Sequence, residues 1–387
     1  MHNTHGRIRS YRVGSRPMKQ VAIFLPNWVG DAVMATPTLR ALRNFYGRNV
    51  RMVGIGKPAV AGVLEGTTWL NEIWTFKARS RGPLPNRRAV VQRLRREKID
   101  TAILLPNSFT SAAMAWLAGA RHRIGYARDG RSTLLTQRLY APRNGRKWLP
   151  IPAIDYYLRL ADSIGAITLD RHMELVLTSQ DRTLQQDLFT QWNWSLSQPT
   201  VVINNGGAYG GAKLWPTEHV RDLAKGLCEN PQVQVLLHCG PDEREAANSI
   251  EAELANPRVR SMGHETNLPL GLTKAVLAKA AVVISTDSGP RHIAIAFNRP
   301  VVSLFGPTEP AWTTTYNIRE SYLEEKLPCR ACWKRTCPLG HPRCMTDLKV
   351  ERVLRETLLR LAESQTAEVA QGHGQPNENS DSHQKAA

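Results

Sequence analysis

The chain has 387 residues, of which 42% are hydrophobic, and its formal net charge is +18. This length is sufficient for two domains, each with its own core. No apolar run approaches the roughly 20 residues that cross a bilayer, which excludes a membrane-spanning protein. The longest candidate, residues 111–120, predicts a buried helix. The basic first twenty residues lack the apolar core of a signal peptide, so we expect a cytoplasmic protein.

The positive charge is concentrated in the first part of the chain. Residues 1–150 hold 27 Lys and Arg against 6 Asp and Glu (+21), and the remainder holds 24 against 27 (−3). Such a field attracts polyanions, which include nucleic acid, anionic lipid and phosphorylated glycolipid. The field by itself does not identify the anion.

The first half alternates apolar strand patterns with helical periodicity, which is typical of a parallel α/β sheet. The predicted strands are residues 21–25, 52–55, 73–76 and 102–105. The predicted helices between them include residues 32–45 and 89–97.

The second half repeats this alternation after a polar segment, residues 178–199, which we interpret as a linker. Its predicted strands are residues 201–204, 233–237, 282–285 and 301–305, and its predicted helices are residues 218–228, 243–255 and 270–280. The fold class is therefore α/β, with two Rossmann-like doubly wound domains facing each other across a cleft. In such sheets ligands bind at the carboxyl ends of the strands, so we expect the active site between the domains.

These patterns predict the domain boundaries. A basic extension covers residues 1–18, the first domain residues 19–180 and the second domain residues 181–346. We expect an amphipathic helix at residues 347–363 that packs back across the first domain. Residues 364–387 are polar and poor in apolar side chains, which predicts a disordered tail.

A carboxylate follows the first predicted strand directly. Asp31 lies in the sequence Pro-Asn-Trp-Val-Gly-Asp-Ala-Val-Met of residues 26–34, at a strand-to-helix turn on the cleft side. The commonest role of Asp at such a turn is to cap the helix. An acidic group facing an anion-binding domain is also suited to accept a proton from a hydroxyl nucleophile.

Two turns of the second domain favour phosphate. Residues 286–289, Thr-Asp-Ser-Gly, join a buried strand to a helix and so direct backbone N–H groups at one point. The loop of residues 205–216 combines flexible glycines with Lys213. It matches neither the P-loop nor the G-x-G-x-x-G spacing. Two such turns suggest a nucleoside diphosphate. On a third turn, Glu243 or Glu245 either binds ribose or is a solvated residue in the first turn of the next helix.

Four cysteines cluster near the end of the second domain, in the Cys-rich loop of residues 329–344. They are Cys329, Cys332, Cys337 and Cys344. Such a cluster in a cytosolic protein argues against structural disulfides. The spacing allows a structural zinc site, with His341 as an alternative ligand, or a reduced structural loop.

Taken together, these residues resemble the ADP-heptose–lipopolysaccharide heptosyltransferases over about residues 19–363. The motifs that carry the resemblance are residues 27–37 (Asn-Trp-Val-Gly-Asp-Ala-Val-Met-Ala-Thr-Pro), 210–216 (Gly-Gly-Ala-Lys-Leu-Trp-Pro), 286–292 (Thr-Asp-Ser-Gly-Pro-Arg-His) and 304–308 (Leu-Phe-Gly-Pro-Thr). The first motif and the Cys-rich loop are most similar to the heptosyltransferase II branch, which adds the second inner-core heptose. The I and III branches of the family remain alternatives.

The resemblance implies a GT-B glycosyltransferase that inverts the anomeric carbon without a metal or other cofactor. Asp31 matches the general base, Lys213 the phosphate-binding lysine, and Asp287 a residue facing the heptose hydroxyls. The implied donor-binding residues are Tyr209, Gly210, Lys213, Glu243, Leu268, Thr286, Asp287, Ser288, Gly289 and His292.

The implied partners are ADP-heptose and a Kdo-lipid A-heptose acceptor, with peripheral contact to the anionic inner membrane at its cytoplasmic face. The predicted acceptor-binding residues are Lys77, Arg79 and Arg123. A basic, zinc-containing nucleic-acid-binding protein is the alternative from another class. The chain lacks the interleaved aromatics and recognisable modules of such proteins, so we expect no nucleic-acid partner.

Overall fold

The computed structural model describes residues 20–77, 85–145, 147–207 and 209–372. Within these ranges the chain forms two α/β domains, each built on a six-stranded parallel sheet. The strands are short apolar runs whose residues are mostly buried on both faces, as parallel sheets covered by helices require. The predicted fold class is confirmed.

The first domain has the strand order β3-β2-β1-β4-β5-β6. Its strands are β1 (Gln20–Phe24), β2 (Arg51–Gly56), β3 (Glu72–Thr75), β4 (Thr101–Leu104), β5 (His122–Tyr126) and β6 (Gln137–Leu139), followed by a small antiparallel pair, β7 (Arg143–Asn144) and β8 (Lys147–Trp148). Its helices are α1 (Val29–Met34), α2 (Thr36–Tyr46), α3 (Pro58–Leu64), α4 (Arg87–Arg96), α5 (Phe109–Leu117) and α6 (Ala153–Asp162).

The second domain repeats the topology with the order β11-β10-β9-β12-β13-β14. Its strands are β9 (Thr200–Asn204), β10 (Gln234–His238), β11 (Val259–Ser261), β12 (Val282–Thr286), β13 (Val301–Phe305) and β14 (Glu320–Glu324). Its helices are α7 (Ser179–Gln191), α8 (Thr217–Leu227), α9 (Arg244–Leu254), α10 (Leu270–Lys279), α11 (Gly289–Ala296), α12 (Arg343–Thr346) and α13 (Val350–Gly372). Single 3-10 turns lie at Ser132–Leu134, Gly211–Lys213, Pro241–Glu243, Met262–His264 and Pro310–Trp312.

This strand order places a ligand crevice in each domain. In both sheets the order reverses between the first and fourth strands, β1 with β4 and β9 with β12. Ligands of doubly wound sheets bind outside the carboxyl ends of the strands at that point. The two crevices face each other, because α1 packs against α11 and α3 packs against α10.

The segment that we predicted to be a linker belongs to the second domain. Most of residues 178–199 forms α7, which begins with a capping box between Thr178 and Asp181 and packs on α10. Trp194 is buried there and donates its indole N–H to the Pro257 carbonyl at 3.0 Å. The segment is mostly polar, and this is why composition alone suggested a linker. Even the buried side of α7 carries Asp181 and Gln185 beside Leu188 and Phe189. The crossing between domains is residues 166–178, which hold no helix or strand in the described chain.

The end of the chain also differs from expectation. We predicted that the C-terminal helix packs across the first domain. Instead, α13 packs on α8, β12 and β13 of the second domain, where Leu354 lies against Gly226. The helix continues to Gly372, so residues 364–372 are helical where we predicted disorder. These residues are rich in Ala, Glu and Gln, which favour helix, and Ser364 is buried. The rest of the predicted tail lies outside the described residues.

Helix α5 is buried on one side only. Ala112, Met114 and Ala115 pack into the core, whereas Trp116 and Leu117 are exposed. The prediction of a buried helix at residues 111–120 is therefore correct for the inner face and wrong for the outer face. No helix within the described residues is both long enough and apolar enough to cross a membrane.

Candidate active site

Asp31 lies in the first turn of α1, directly above the carboxyl end of β1. The N-cap residue of this helix is Trp28, so Asp31 does not have the capping role that was the simplest interpretation of its position. Its Oδ1 accepts a hydrogen bond from the Tyr157 hydroxyl at 3.1 Å. Burial raises the pKa of the Asp31 carboxyl, and the Tyr157 hydrogen bond offsets part of that rise. A carboxylate with a raised pKa is a stronger proton acceptor.

The predicted phosphate turn has the expected form. β12 ends at Thr286, Ser288 is the N-cap residue and α11 begins at Gly289. Among the described residues no side chain caps this helix, so its first N–H groups and its positive end are directed at the cleft. Thr286 donates its hydroxyl to the Gly206 carbonyl at 3.0 Å, which joins this turn to the loop that carries Lys213.

Lys213 lies between the two loops. Its Nζ donates to the Asp287 carboxylate at 2.8 Å and to the Asp287 carbonyl at 2.6 Å. An ammonium group has three N–H donors, so a third is left for a ligand. The charges of Lys213 and Asp287 both affect the pKa of Asp31, Asp287 raising it and Lys213 lowering it. The three side chains, predicted from separate motifs, therefore share one site.

Asp287 is engaged by the protein itself. Its Oδ2 accepts from Lys213 and Thr308, both at 2.8 Å, while Oδ1 lies 3.3 Å from an Arg291 guanidinium nitrogen and 3.4 Å from the Thr313 hydroxyl. Burial alone would raise the pKa of this carboxyl, but Lys213 and Arg291 outweigh burial and lower the pKa from 3.8 to about 2. We therefore revise its predicted role: Asp287 positions Lys213, and its oxygens are already bonded where we expected them to face heptose.

Glu243 links two loops by hydrogen bonds. Its carboxylate accepts the backbone N–H of Gly207 at 3.1 Å and that of Gly240 at 2.9 Å. The first of these bonds fixes the glycine loop next to the phosphate turn. The predicted contact of Glu243 with ribose stays a prediction, as does that of the half-buried Leu268 with adenine.

Tyr209 and Gly210 contact the Cys-rich loop. The Tyr209 hydroxyl donates to the Trp333 carbonyl at 2.6 Å, and its ring lies 4.5 Å from Lys213 Nζ. Gly210 has φ +138°, and a Cβ there would lie 2.8 Å from the Arg335 carbonyl oxygen, so only glycine fits. The Cys-rich loop therefore covers the loop that carries Lys213.

The thiols of this loop lie near one another but do not form a metal site. Burial, together with the neighbouring thiols of Cys332, Cys329 and Cys337, raises the pKa of Cys344. The described residues nevertheless contain no group of three or more His, Cys, Asp or Glu side chains arranged to hold a metal ion. The geometry thus does not support the zinc alternative, and all four cysteines are free thiols.

His292 lies where the two domains touch. A Cβ on Gly30 of α1 would stand 2.9 Å from His292 Cδ2 and 3.5 Å from the Cα of Gly289. Burial, and secondarily Arg291, lowers the pKa of His292 to about 3, so its imidazole is neutral. Its Nδ1 has no hydrogen-bond partner within the described residues. The predicted contact of His292 with the donor stays a prediction.

The two predicted acceptor residues that the structure describes, Lys77 and Arg123, do not come together. Lys77 lines a cavity of about 540 Å³ at the carboxyl edge of the first sheet, together with Lys57 and Arg87. Arg79 lies outside the described residues. Arg123 is at the opposite, amino end of its sheet, in β5, where its guanidinium donates to the Leu134 and Ala120 carbonyls. Arg123 therefore lies away from the cavity that Lys77 lines, and its acceptor role stays a prediction.

Comparison with known proteins agrees with this geometry. The family model of glycosyltransferase family 9 (heptosyltransferase) matches residues 87–342. The chain belongs to this family. It is 28% identical to lipopolysaccharide heptosyltransferase 2 of Escherichia coli over 87% of this chain and 97% of that protein. It is 27% identical to the protein of the same name from Salmonella typhimurium, over 89% of this chain and 99% of the relative.

Solved structures agree as well. The fold matches the E. coli ADP-heptose lipopolysaccharide heptosyltransferase II with a TM-score of 0.73 and 25% identity, covering 89% of this chain and 99% of that one. A family 9 glycosyltransferase from Veillonella parvula has the same fold, with a TM-score of 0.74 and 19% identity over 90% of this chain and 99% of that chain. The resemblance that we drew from the motifs is confirmed.

Sequence reasoning missed several residues of this family 9 site. Tyr157 bonds Asp31 from 126 positions further along the chain. Thr308 lies in a motif that we used only for the resemblance, and Arg291 lies inside the phosphate motif. A buried ion pair of Arg291 with Glu320, at 2.6 Å, anchors α11 on β14. Neither Tyr157 nor Glu320 lies in a recognisable motif, so only the fold identifies them.

Proposed function

We propose that this family 9 enzyme is an inverting heptosyltransferase. It moves L-glycero-D-manno-heptose from ADP-heptose to the lipopolysaccharide inner core and adds the second heptose. One observation carries the proposal. Asp31 of the first domain lies within electrostatic reach of Lys213 and Asp287 of the second, next to an uncapped helix N-terminus. The names of the relatives, heptosyltransferase 2 in both cases, support this donor and acceptor.

Asp31 is the general base. The acceptor hydroxyl gives its proton to the Asp31 carboxylate while its oxygen bonds to the anomeric carbon of heptose. The bond from that carbon to the diphosphate oxygen breaks, ADP leaves, and the anomeric configuration inverts. Tyr157 holds one carboxylate oxygen at 3.1 Å, which leaves the other free for the proton.

Lys213 and the turn at residues 286–289 hold the diphosphate. Negative charge grows on the leaving ADP, so donors fixed around it stabilise the transition state more than the bound substrate. Asp287 keeps Lys213 in place, and the first N–H groups of α11 supply a second, uncharged set of donors. The proposal therefore assigns charge stabilisation to protein groups and predicts activity in the presence of a chelator.

The acceptor is a Kdo-lipid A bearing one heptose. The cavity lined by Lys57, Lys77 and Arg87 offers three cations over apolar walls, which suits an acidic sugar or a phosphate. We also propose peripheral contact with the anionic inner membrane, where this acceptor resides. The excess of basic residues before position 150 supports both.

The test is a set of incubations with ADP-heptose and core-truncated acceptors carrying no heptose or one heptose, followed by mass and linkage analysis. We expect one added heptose on the one-heptose acceptor only. Addition to the acceptor without heptose would instead indicate the first-heptose reaction, and no addition to either would refute the proposal.

The Asp31→Asn variant tests the base. We expect turnover to fall about 10²-fold or more with ADP affinity little changed, because the donor contacts are in the other domain. Asp129→Asn, an exposed carboxylate of the same domain, is the matched control and should keep full turnover. Near-normal turnover of Asp31→Asn would exclude Asp31 as the base.

A further inference from the structure

The outer layer of the first domain combines exposed aromatic and basic side chains. We call this the α4–α5 surface: Arg88, Arg95 and Arg96 of α4 with Phe109, Ala113, Trp116 and Leu117 of α5. Both helices cover the sheet face on which Val90, Leu94 and Met114 are buried. The contacts between domains run elsewhere, through α1 with α11 and α3 with α10.

The apolar part of the surface is one continuous stripe. Phe109, Ala113, Trp116 and Leu117 are spaced i, i+4, i+7 and i+8, so they share one face of α5. Phe109 and Trp116 are each 54% exposed and Leu117 is 45% exposed. A single exposed aromatic residue needs no explanation, but three large apolar side chains in one stripe mark an interaction site.

The basic part adjoins this stripe. Arg95 donates from Nε to the Leu117 carbonyl at 2.6 Å, which holds its guanidinium beside the apolar residues. Arg96 is exposed and reaches Glu97 at 4.0 Å. Within the described chain no carboxylate pairs with Arg88. The surface therefore has a net positive charge next to an aromatic and aliphatic stripe.

We propose that the α4–α5 surface docks on an anionic lipid bilayer. Trp and other aromatic side chains are favoured at the boundary between headgroups and acyl chains, and arginines are attracted to anionic headgroups. The exposed leucines of α13, Leu358 and Leu359, are a poorer candidate. They lie beside both Glu351 and Arg355, so that face has no excess positive charge.

The position of the surface connects it to the acceptor. Residues at the start of the same two helices line the cavity that we assigned to the acceptor: Arg87 of α4, the N-cap residue Ser108, and Thr110 and Ser111 of α5. Docking through α4 and α5 would place that cavity beside the membrane, where a lipid-anchored sugar can enter it. The docking assigns a surface to the membrane contact of the proposed function, and the entry of the acceptor rests on that proposed function.

The experiment is co-sedimentation of the full chain with phosphatidylglycerol-containing vesicles and with neutral phosphatidylcholine vesicles, at low and high salt. We expect binding to the anionic vesicles that weakens with salt. Arg88→Gln with Arg96→Gln should lower the partition coefficient about 25-fold, roughly fivefold for each charge. Phe109→Ser with Trp116→Ser should lower it at least about tenfold.

The controls alter exposed residues elsewhere on the protein. Ile167→Ser with Leu169→Ser controls for lost apolar surface, and Lys225→Gln with Arg355→Gln controls for lost charge. Quenching by brominated lipid adds a second readout, because Trp116→Phe should remove the quenched fraction of tryptophan emission if Trp116 enters the bilayer. Unchanged melting temperatures would show that each variant is folded.

Several outcomes would overturn the proposal. These are equal loss of binding in the controls, unchanged binding of both surface variants, no binding of the wild type to anionic vesicles, or binding lost only on Leu358→Ser with Leu359→Ser. A deacylated, water-soluble acceptor does not require membrane docking, so activity on it tests the proposed function separately from the docking. The surface variants should keep that activity, and its absence from the wild type would contradict the proposed function alone.

Discussion

Replacement of Asp287 by Asn tests the charge network that fixes Lys213. The Asp287 carboxylate is 8% exposed and accepts bonds from Lys213 and Thr308, both at 2.8 Å. The neighbouring cations lower its pKa from 3.8 to about 2. One pKa unit corresponds to about 1.4 kcal/mol, so the ionised carboxylate stabilises the fold by roughly 2 kcal/mol at neutral pH. Arg291 retains Glu320 at 2.6 Å, so Lys213 is the cation that loses its partner.

This stabilisation depends on pH in a definite direction. The pKa is lower in the folded state, so the full contribution is present above the unfolded value of about 4 and is lost as pH falls towards 2. At pH 7 we expect Asp287→Asn to lower the melting temperature by about 4–8 °C, given about 2–4 °C for each kcal/mol in a domain of this size. The difference from the wild type should narrow as pH falls from 5 to 3.

The assay is thermal denaturation followed by circular dichroism at pH 7, 5, 4 and 3. Asp187→Asn, an exposed carboxylate on α7, is the control and should show no such pH-dependent difference. Two results would refute the reasoning: no destabilisation at pH 7, or a destabilisation of the same size at pH 7 and pH 3. Either would mean that the carboxylate charge does not hold the network together.

Three further predictions concern neighbouring groups. Tyr157→Phe removes a hydrogen bond that lowers the pKa of Asp31, so the acid limb of the pH profile of kcat should move to higher pH. An unmoved limb would show that Tyr157 does not influence the proposed base. Lys213→Ala should lower both kcat and ADP affinity measured by calorimetry, and unaltered ADP binding would contradict its role. Lys274→Met leaves the buried Asp181 carboxylate without its cationic partner, which lies at 2.9 Å. We expect the free energy of unfolding, measured in urea, to fall by about 3–5 kcal/mol, and a fall below about 1 kcal/mol would contradict that reasoning.

The parts of the fold that could be predicted are the buried parallel strands and the helices between them. Strands such as β13 (Val301–Phe305) consist of consecutive apolar residues, and that pattern is visible locally. Four strands, β5, β6, β11 and β14, were missed because their sequences mix polar and apolar residues. β5 begins with His122 and Arg123, and β14 begins with Glu320, a charge that can be buried only because Arg291 reaches it from α11. Such pairing is decided by tertiary contacts and leaves no local pattern.

The same limit applies to the site. Asp31, Lys213 and the turn at residues 286–289 could be predicted because each follows an apolar strand, and the carboxyl ends of parallel strands converge. Their mutual bonds could not be predicted. The family resemblance implies that Asp287 faces the heptose hydroxyls, whereas its oxygens face Lys213 and Thr308. Arg123 was assigned from charge alone, and charge gives no information on which end of a strand a residue occupies.

Because the site is divided between two domains, the pKa of the proposed base should depend on whether the donor is bound. Burial raises the pKa of Asp31, and the negative charge of Asp287 raises it further, while Lys213 opposes both. A bound diphosphate would bring more negative charge to the same place and share Lys213, so the pKa of Asp31 should rise again when the donor is present. Proton transfer from the acceptor would then be most favourable in the ternary complex. This coupling requires the two domains to meet, and they meet where Gly30 and Gly289 let α1 and α11 approach closely, with the His292 ring against Gly30.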